Sequence, residues 1–524
     1  MSGIAGIVNL DGAPIDRDLL SRMTKFMSFR GPDGEEIWTE SNVGFGNTLL
    51  RTDNLCITAD ARIDGRENTD LTDVERILSA YEKWGEACVE HLIGDFAFVI
   101  WDKRSRRLFC ARDHFGVKPF FYAHTGNSFV FSNTLNALRL DPRVSVELNE
   151  TAVYDYLDSG LNQDLSTTIF RDIQRLPGGH ALSLTNGSIT TRCYWKPAVK
   201  NKIRYRNPRE YVERFDELLS IAVKDRLRTD RVSISMSGGL DSTSLAAIAR
   251  DLLPQPAAVH AFSTVYDKLI PDEEWHYSTL AASHLRIPIH HLNADNYSLF
   301  DERASGDLDV PEPFLLGPLA AQFNDLLRLM ASHGRVALTG YDGDALMNES
   351  RRAYVKSVVR SFWMGISAKQ ISANRSATIN SLNSKVWTPL FEGYDPGSTR
   401  LPLEVRHPFI DVRLVDYLLS IPAVPWCAQK YILRRAMRDR LPAAVVQRPK
   451  TPLTSDPALQ LARRAGVRWL DHFEVTPQLT RFVNLSSRRS SVAETPNALW
   501  ARLRVFALNH WLSHSLPLDR RMVA

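Results

Sequence analysis

The chain has 524 residues, of which 44% are hydrophobic and 24% charged. This is ordinary globular composition for roughly two to four domains, and it excludes a disordered chain, a collagen-like repeat and a disulfide-stapled mini-protein. A net charge of +4 is too small for a general nucleic-acid binder, and no apolar run reaches the roughly 18 residues that predict a membrane span.

The charge is uneven: the 95 residues from Lys430 to Ala524 carry 17 Lys/Arg against 6 Asp/Glu. Such a segment suits an anionic ligand such as a nucleotide, or an acidic partner, and equally an Arg-rich solvated helical surface. The five cysteines are far apart, with no C-x-x-C and no Cys/His set at zinc spacing. Free thiols and a cytoplasmic location are expected. The first residues, MSGIAGIVNLDG, lack the basic and apolar regions of a secretory signal.

Residues 1–195 read as strand-rich. Gly3–Asn9, Phe96–Trp101, Arg107–Ala111 and Ser128–Ser132 are β-prone runs between Gly, Asp, Asn and Pro turns. A helix is predicted over Thr72–Trp84, with Thr72 and Glu75 as a capping box. Residues 196–208 (KPAVKNKIRYRNP) read as a linker. Residues 209–524 change period. An amphipathic helix over Glu210–Arg226 precedes a strand at Arg231–Met236, the loop 237–242, and a helix over Thr243–Leu252. Further strands follow at Val259–Val265 and Arg335–Thr339, ending at Gly340. Strand–loop–helix units of this kind predict a parallel α/β sheet with its site at the strand C-termini. The chain after Asp411 reads as mostly helical.

The loop Ser237-Gly238-Gly239-Leu240-Asp241-Ser242 is the most informative stretch. Two glycines allow a tight turn that aims backbone amides at one point, and the new helix adds the positive end of its dipole. Ser237 and Ser242 add hydroxyl donors. Asp241 is unfavourable beside phosphate without an intervening cation, so it implies Mg²⁺. The stretch lacks the lysine of G-x-x-x-x-G-K-[ST], which weighs against a Walker-type NTPase.

SGGLDS after VSISM resembles the pyrophosphate loop of the N-type ATP pyrophosphatases, which form acyl-adenylates. Other stretches narrow the resemblance to the asparagine synthetase family over nearly the whole length: residues 30–34 (RGPDG), 111–119 (ARDHFGVKP), 168–180 (TIFRDIQRLPGGH), 404–411 (EVRHPFID), 430–435 (KYILRR) and 448–450 (RPK). The resemblance implies an N-terminal Ntn-hydrolase-like αββα sandwich over 1–195, of glutamine amidotransferase type. It implies a parallel α/β ATP-pyrophosphatase domain with a helical C-terminal part over 209–524. It also implies ATP and Mg²⁺ as cofactors, ATP contacts from the 237–242 loop, Ser263 and Gly340, and a metal held by Asp241 and Asp344.

The departures are as informative as the matches. Glutamine-hydrolysing members carry a Cys nucleophile at position 2, exposed once Met1 is removed, where this chain has Ser2. The family's Asn-Gly-Glu falls on Asp60-Ala61-Arg62, and its glutamine-binding Arg falls on Leu49. Of that set only Asp73 survives, so glutaminase activity is not expected and the N-terminal half is left as scaffold or partner surface. In the synthetase half the family's Ser-Gly-Glu-Gly-Ser-Asp-Glu is Thr339-Gly340-Tyr341-Asp342-Gly343-Asp344-Ala345. Tyr341 in place of Glu is the pattern of the β-lactam synthetase branch, where a Tyr and a downstream Glu act on the attacking amine. Glu404 is the matching Glu. Lys450 matches the lysine that reaches the reacting centre.

The stretches RPKTPL, SGIAGI and DAR resemble the lasso-peptide macrolactam synthetases. That resemblance implies a ribosomal precursor peptide as substrate, with a leader peptidase and a peptide-recognition protein as further partners. The expected activity is ATP-dependent coupling of a side-chain carboxylate to the peptide's own N-terminal amine. A small-molecule amide synthetase, either ammonia-dependent for asparagine or β-lactam-forming, shares the adenylation chemistry. A non-catalytic homologue acting as a binding protein is the third reading, opposed by the intact loop, Asp344 and Lys450.

Overall fold

The computed structural model describes the chain except residues 1, 31–35, 48, 66–69, 254, 256–257, 302–309, 316, 349–374, 451–452, 467–468, 471, 485–494 and 515–524. Most of the RGPDG stretch and Thr451-Pro452 of RPKTPL therefore lie outside the described residues.

The N-terminal half contains two six-stranded antiparallel sheets. The first runs, in spatial order, Ile173–Arg175, Phe121–Thr125, Ser128–Ser132, Ile4–Asn9, Val43–Asn47, Ile37–Glu40. The second runs Ser188–Cys193, His180–Thr185, Arg107–Arg112, Gly94–Asp102, Leu55–Ile63, Leu49–Arg51. Alternation along one strand explains the layering. Ile4 and Val8 point into the core between the sheets, with Phe45, Cys56, Val99 and Leu108. Ala5 and Ile7 point the other way, onto Leu19, Leu20 and Met23 of the helix Arg17–Phe26. The helix Asp73–Trp84 covers the outer face of the second sheet through Ile77, Leu78 and Tyr81. Its capping box forms as expected between Thr72 and Glu75. The result is the αββα sandwich.

The helix Pro208–Leu227 starts inside the stretch read as linker, because Asn207 and Glu210 form a second capping box with Pro208 at the first helical position. It leads into a five-stranded parallel sheet ordered Ile289–Asn293, Val259–Val265, Val232–Ser235, Val336–Thr339, Glu404–Arg406. Ile234 sits in register between Ala261 and Leu338, all three fully buried. The two edge strands were not read from the sequence. Ile289–Asn293 carries paired histidines, and Glu404–Arg406 is only three residues long with two charges.

The two halves are joined by buried charge as well as apolar packing. Glu392 takes Arg112 at 3.1 Å and Arg175 at 2.8 Å, Arg175 also pairs with Glu312, and Arg30 pairs with Asp395. Breaking one buried pair by removing a single partner typically costs about 3–5 kcal/mol. The last helix, Pro496–His514, returns to the N-terminal half, where Trp511 is fully buried against Phe170. All five thiols are free. No helix among the described residues is long and apolar enough to cross a membrane.

Candidate active site

The central strand Val232–Ser235 ends at the 237–242 loop, and the following helix spans Leu240–Leu252. That is three residues earlier than its apolar run predicted, so Leu240, Asp241 and Ser242 form its first turn. Ser242 Oγ donates to the Ser237 carbonyl at 3.0 Å and lies 3.3 Å from Ser237 Oγ, which closes the loop. The neighbouring strand Val336–Thr339 ends on a second loop that touches the first. A Cβ on Gly340 would lie 2.7 Å from Ser242 N, and one on Gly343 would lie 2.5 Å from the Asp241 carboxyl carbon. Only glycine permits that approach.

Both loops open into a cavity of about 890 Å³. Ser237, Gly239, Leu240, Asp241, Ser242, Gly340, Tyr341, Asp344 and Lys450 all line it, so most of the expected residues converge. Gly238 is turned aside: its amide donates to Glu274 Oε2 at 2.6 Å, and Glu274 is paired with Arg448 at 3.1 Å.

One cation at the centre was not singled out from the sequence. Lys430 Nζ lies 2.5 Å from Asp241 Oδ2 and 2.8 Å from Asp344 Oδ1, while Lys450 Nζ lies 3.0 Å from Asp344 Oδ2. Lys430 is the first residue of the KYILRR stretch. Burial pushes the Asp241 carboxyl up to about 6, against the pull of Lys430. Burial also raises Asp344, but Lys430 and Lys450 outweigh it and hold that carboxyl below its ordinary value. Asp342 stands at φ 76, where the family has Gly. It is buried with both oxygens unpartnered, and burial together with Asp241 pushes it up to about 8.

These residues fit a divalent cation. Asp241 Oδ1 is buried without a partner beside the equally unpartnered Asp342. Among the described residues no group of three or more His, Cys, Asp or Glu forms an all-protein metal cage. That is the donor set expected for Mg²⁺ shared between carboxylates and substrate phosphates.

A second cavity, of about 560 Å³, adjoins the first and shares Ser235, Ser237, Glu274, Thr339 and Tyr341 with it. Ser263 lines it, with Phe262, Tyr266, Phe323, Leu327 and Tyr394. Tyr341 is 42% exposed and stands at the junction of the two.

Glu404 does not join this site. It pairs in register with Val336, at the start of a strand whose far end leads to Tyr341. At a rise of about 3.3 Å per residue, five residues put the two roughly 16 Å apart, at opposite ends of two adjacent strands. Glu404 instead accepts from Lys118 at 3.0 Å and Arg406 at 2.7 Å. Burial would raise its carboxyl, but Arg406 and Lys118 hold it well below the usual range. The expected Tyr341–Glu404 dyad is therefore corrected: Glu404 is a structural ion-pair residue between the two halves.

Comparison with known proteins fits this arrangement. The family model described as Asparagine synthase matches residues 214–388 and 392–512, more than half of the chain. The chain belongs to the asparagine synthetase family. It is an ATP-dependent carbon–nitrogen ligase of the AMP-forming kind. A second model, described as Glutamine amidotransferase domain, matches residues 56–195. The chain is 26% identical to asparagine synthetase [glutamine-hydrolyzing] 3 of Bacillus subtilis, over 86% of each chain. It is 26% identical to a putative asparagine synthetase [glutamine-hydrolyzing] 2 of Methanocaldococcus jannaschii, over 62% of this chain and 72% of the other. It is 25% identical to the amidase chyE of Penicillium rubens, over 57% of this chain and 50% of the other.

In the family's glutamine-site positions the remaining polar groups are tied to one another. Ser2 N donates to Asp60 Oδ1 at 3.2 Å, and Asp60 is paired with Lys118 at 3.2 Å. Arg62 is buried against Asp64 and Asp95. Asp73 accepts from Arg228 at 2.9 Å and from Ile63 N at 3.0 Å. Leu49 lies on the edge strand, paired with Thr58. An arriving glutamine would have to displace these pairs. Purified protein is expected to release no glutamate from glutamine, with or without ATP, and Ser2→Ala is expected to keep synthetase activity within a few-fold. Ser2-dependent glutamate release in a coupled assay would contradict this.

Proposed function

We propose that this family member is a peptide macrolactam synthetase of the lasso-peptide type, whose N-terminal half no longer hydrolyses glutamine. The carrying observation is the glutamine site, where Ser2 N, Asp60, Arg62 and Asp73 are all engaged by protein groups, together with Tyr341 in place of the family's Glu on the wall of the phosphate cavity. With no glutamine-derived ammonia, the amine comes from the substrate itself.

In this reading the ATP phosphates lie over the amides of the 237–242 loop, with the nucleoside toward Ser263. A side-chain carboxylate of the peptide attacks the α-phosphorus, forming an acyl-AMP and releasing pyrophosphate. Lys430 and Lys450 face the charge that develops on the phosphates. Mg²⁺, held by Asp241 and Asp344, would neutralise pyrophosphate oxygens. The peptide's own N-terminal amine then attacks the acyl carbon. The C–N bond forms, the bond to AMP breaks, and the amine proton passes over Tyr341 Oη to the departing phosphate. Holding both ends of one peptide makes this step effectively intramolecular, an advantage of about 7–11 kcal/mol. The precursor peptide is the partner this chemistry requires; a leader peptidase that frees its amine and a peptide-recognition protein are consistent with it.

The test separates the two half-reactions. In Tyr341→Phe, pyrophosphate–ATP exchange supported by the leader-free peptide should persist. Macrolactam formation should fall about 10²-fold, as for loss of a proton-transfer group, with linear peptide and AMP released instead. Amide formation at the wild-type rate would remove Tyr341 from the reaction. Activity on free aspartate or a small β-amino acid in place of the peptide would favour a small-molecule amide synthetase.

A further inference from the structure

Lys450 is the less secured of the two site lysines. Its side chain is 55% exposed, and it shares the Asp344 carboxylate with Lys430, whose like charge repels it. Keeping a long side chain on one partner against that repulsion and its own rotamer entropy requires a fixed backbone beneath it. Arg434 supplies the fixing. It stands on the short helix Tyr431–Ala436, which follows Lys430, and it lines the phosphate cavity. Its Nε donates to the Gln429 carbonyl at 2.9 Å. One terminal nitrogen donates to the Val446 carbonyl, and the other donates to the Arg448 carbonyl at 2.9 Å. Val446 and Arg448 sit at the end of the helix Ala443–Gln447, where the last carbonyls have no partner within the helix. Lys450 is two residues further on.

We propose that Arg434 is the positioning residue of Lys450: its guanidinium ties the segment that carries Lys450 to the turn that carries Lys430, so that both ammonium groups meet on Asp344. The base of this clamp is rigid. Gln429 and Lys430 stand at φ 52 and 58, a left-handed conformation that residues other than glycine keep only when their surroundings impose it. The Lys430 amide donates to the Met347 carbonyl at 2.7 Å, and the Arg434 amide donates to the Lys430 carbonyl at 2.9 Å. From that base a planar fork with several donors holds three carbonyls at once, which a point ammonium cannot do. The tie also reaches the phosphate loop, because the Arg448 side chain pairs with Glu274, which accepts from the Gly238 amide.

This inference rests on the phosphate-facing role given to Lys450 above, and its test has one arm independent of that role. In Arg434→Lys, pyrophosphate–ATP exchange supported by the leader-free peptide should fall about tenfold, inside the roughly 10²-fold that a misplacement of about 1 Å can cost. In a Lys450→Ala background the same change should stay within two-fold, because the amine it places is already gone. Multiplying effects would overturn the proposal. The independent arm needs no substrate: lysine amines are acetylated with acetic anhydride and read by mass spectrometry, with the exposed Lys202 as internal standard. Lys450 should be acetylated several-fold faster in Arg434→Lys than in the wild type, as its amine leaves Asp344. Equal rates would overturn the clamp. Faster labelling with wild-type exchange would keep the clamp and remove Lys450 from the phosphates. Faster labelling with no peptide-supported exchange in the wild type would keep the clamp and sink the macrolactam reading. Should Arg434→Lys fold poorly, Arg434→Gln, whose shorter planar amide reaches fewer carbonyls, gives the same two readings, and Lys450 labelled there at the wild-type rate would overturn the proposal as well.

Discussion

Asp241→Asn is expected to abolish pyrophosphate–ATP exchange, with activity down at least about 10³-fold. Asn has the shape of Asp, so it meets the tight space beneath Gly343, and the variant should fold. What it lacks is charge. Lys430 loses its closer partner, at 2.5 Å, and a divalent cation loses the carboxylate that carries a buried, unpartnered oxygen. Exchange of labelled pyrophosphate and a thermal melt, measured together, check this: the melt should barely move while exchange vanishes. Exchange equal to wild type would remove Asp241 from phosphate and metal binding.

Lys430→Ala is expected to lose about 10²–10³-fold in adenylation, as for removal of one preorganised charge at a reacting centre. It should be at least as damaging as Lys450→Ala. Lys430 is 9% exposed and bridges both carboxylates, whereas the Lys450 side chain is 55% exposed and, among the described residues, pairs with Asp344 alone. Without Lys430, Asp241 and Asp344 repel one another and any approaching phosphate. Lys430→Arg should rescue poorly, because a wide planar fork does not replace a point charge held at 2.5 and 2.8 Å from two oxygens. The kinetic split checks the assignment: the effect should fall on both kcat and KM for ATP in the exchange reaction. A loss confined to Lys450→Ala would reverse the ranking.

The strand–loop–helix geometry around 237–242 was legible in the chain because it is local. A β-branched strand, two glycines and a helix start within a dozen residues place the turn. The same holds for the capping box of Thr72 and Glu75, and for the alternation that sends Ile4 and Ala5 to opposite faces. Substitution at Ser2, Leu49 and Arg62 was equally readable, since it concerns which residues are present. What those residues do instead was not. Arg62 and Asp73 are engaged with Asp95 and with Arg228, which come from distant strands and helices.

Motif matching went wrong at Glu404 because it carries identity without position. Glu404 begins one strand and Tyr341 follows the end of its parallel neighbour, Val336–Thr339, so the register puts the two at opposite ends of the pair.

By itself, then, the sequence determined the family, the two-part fold class, the turn at 237–242 and the altered residues at the glutamine-site positions, all of which rest on near-neighbour patterns or on residue identity. Only the tertiary structure decided how charge is distributed over the site. Lys430 reaches Asp241 across 189 residues, and Lys118 reaches Glu404 across 286. Such pairings are set by how sheets and helices pack, because a buried charge must find its counter-charge wherever the fold brings one within about 3–4 Å.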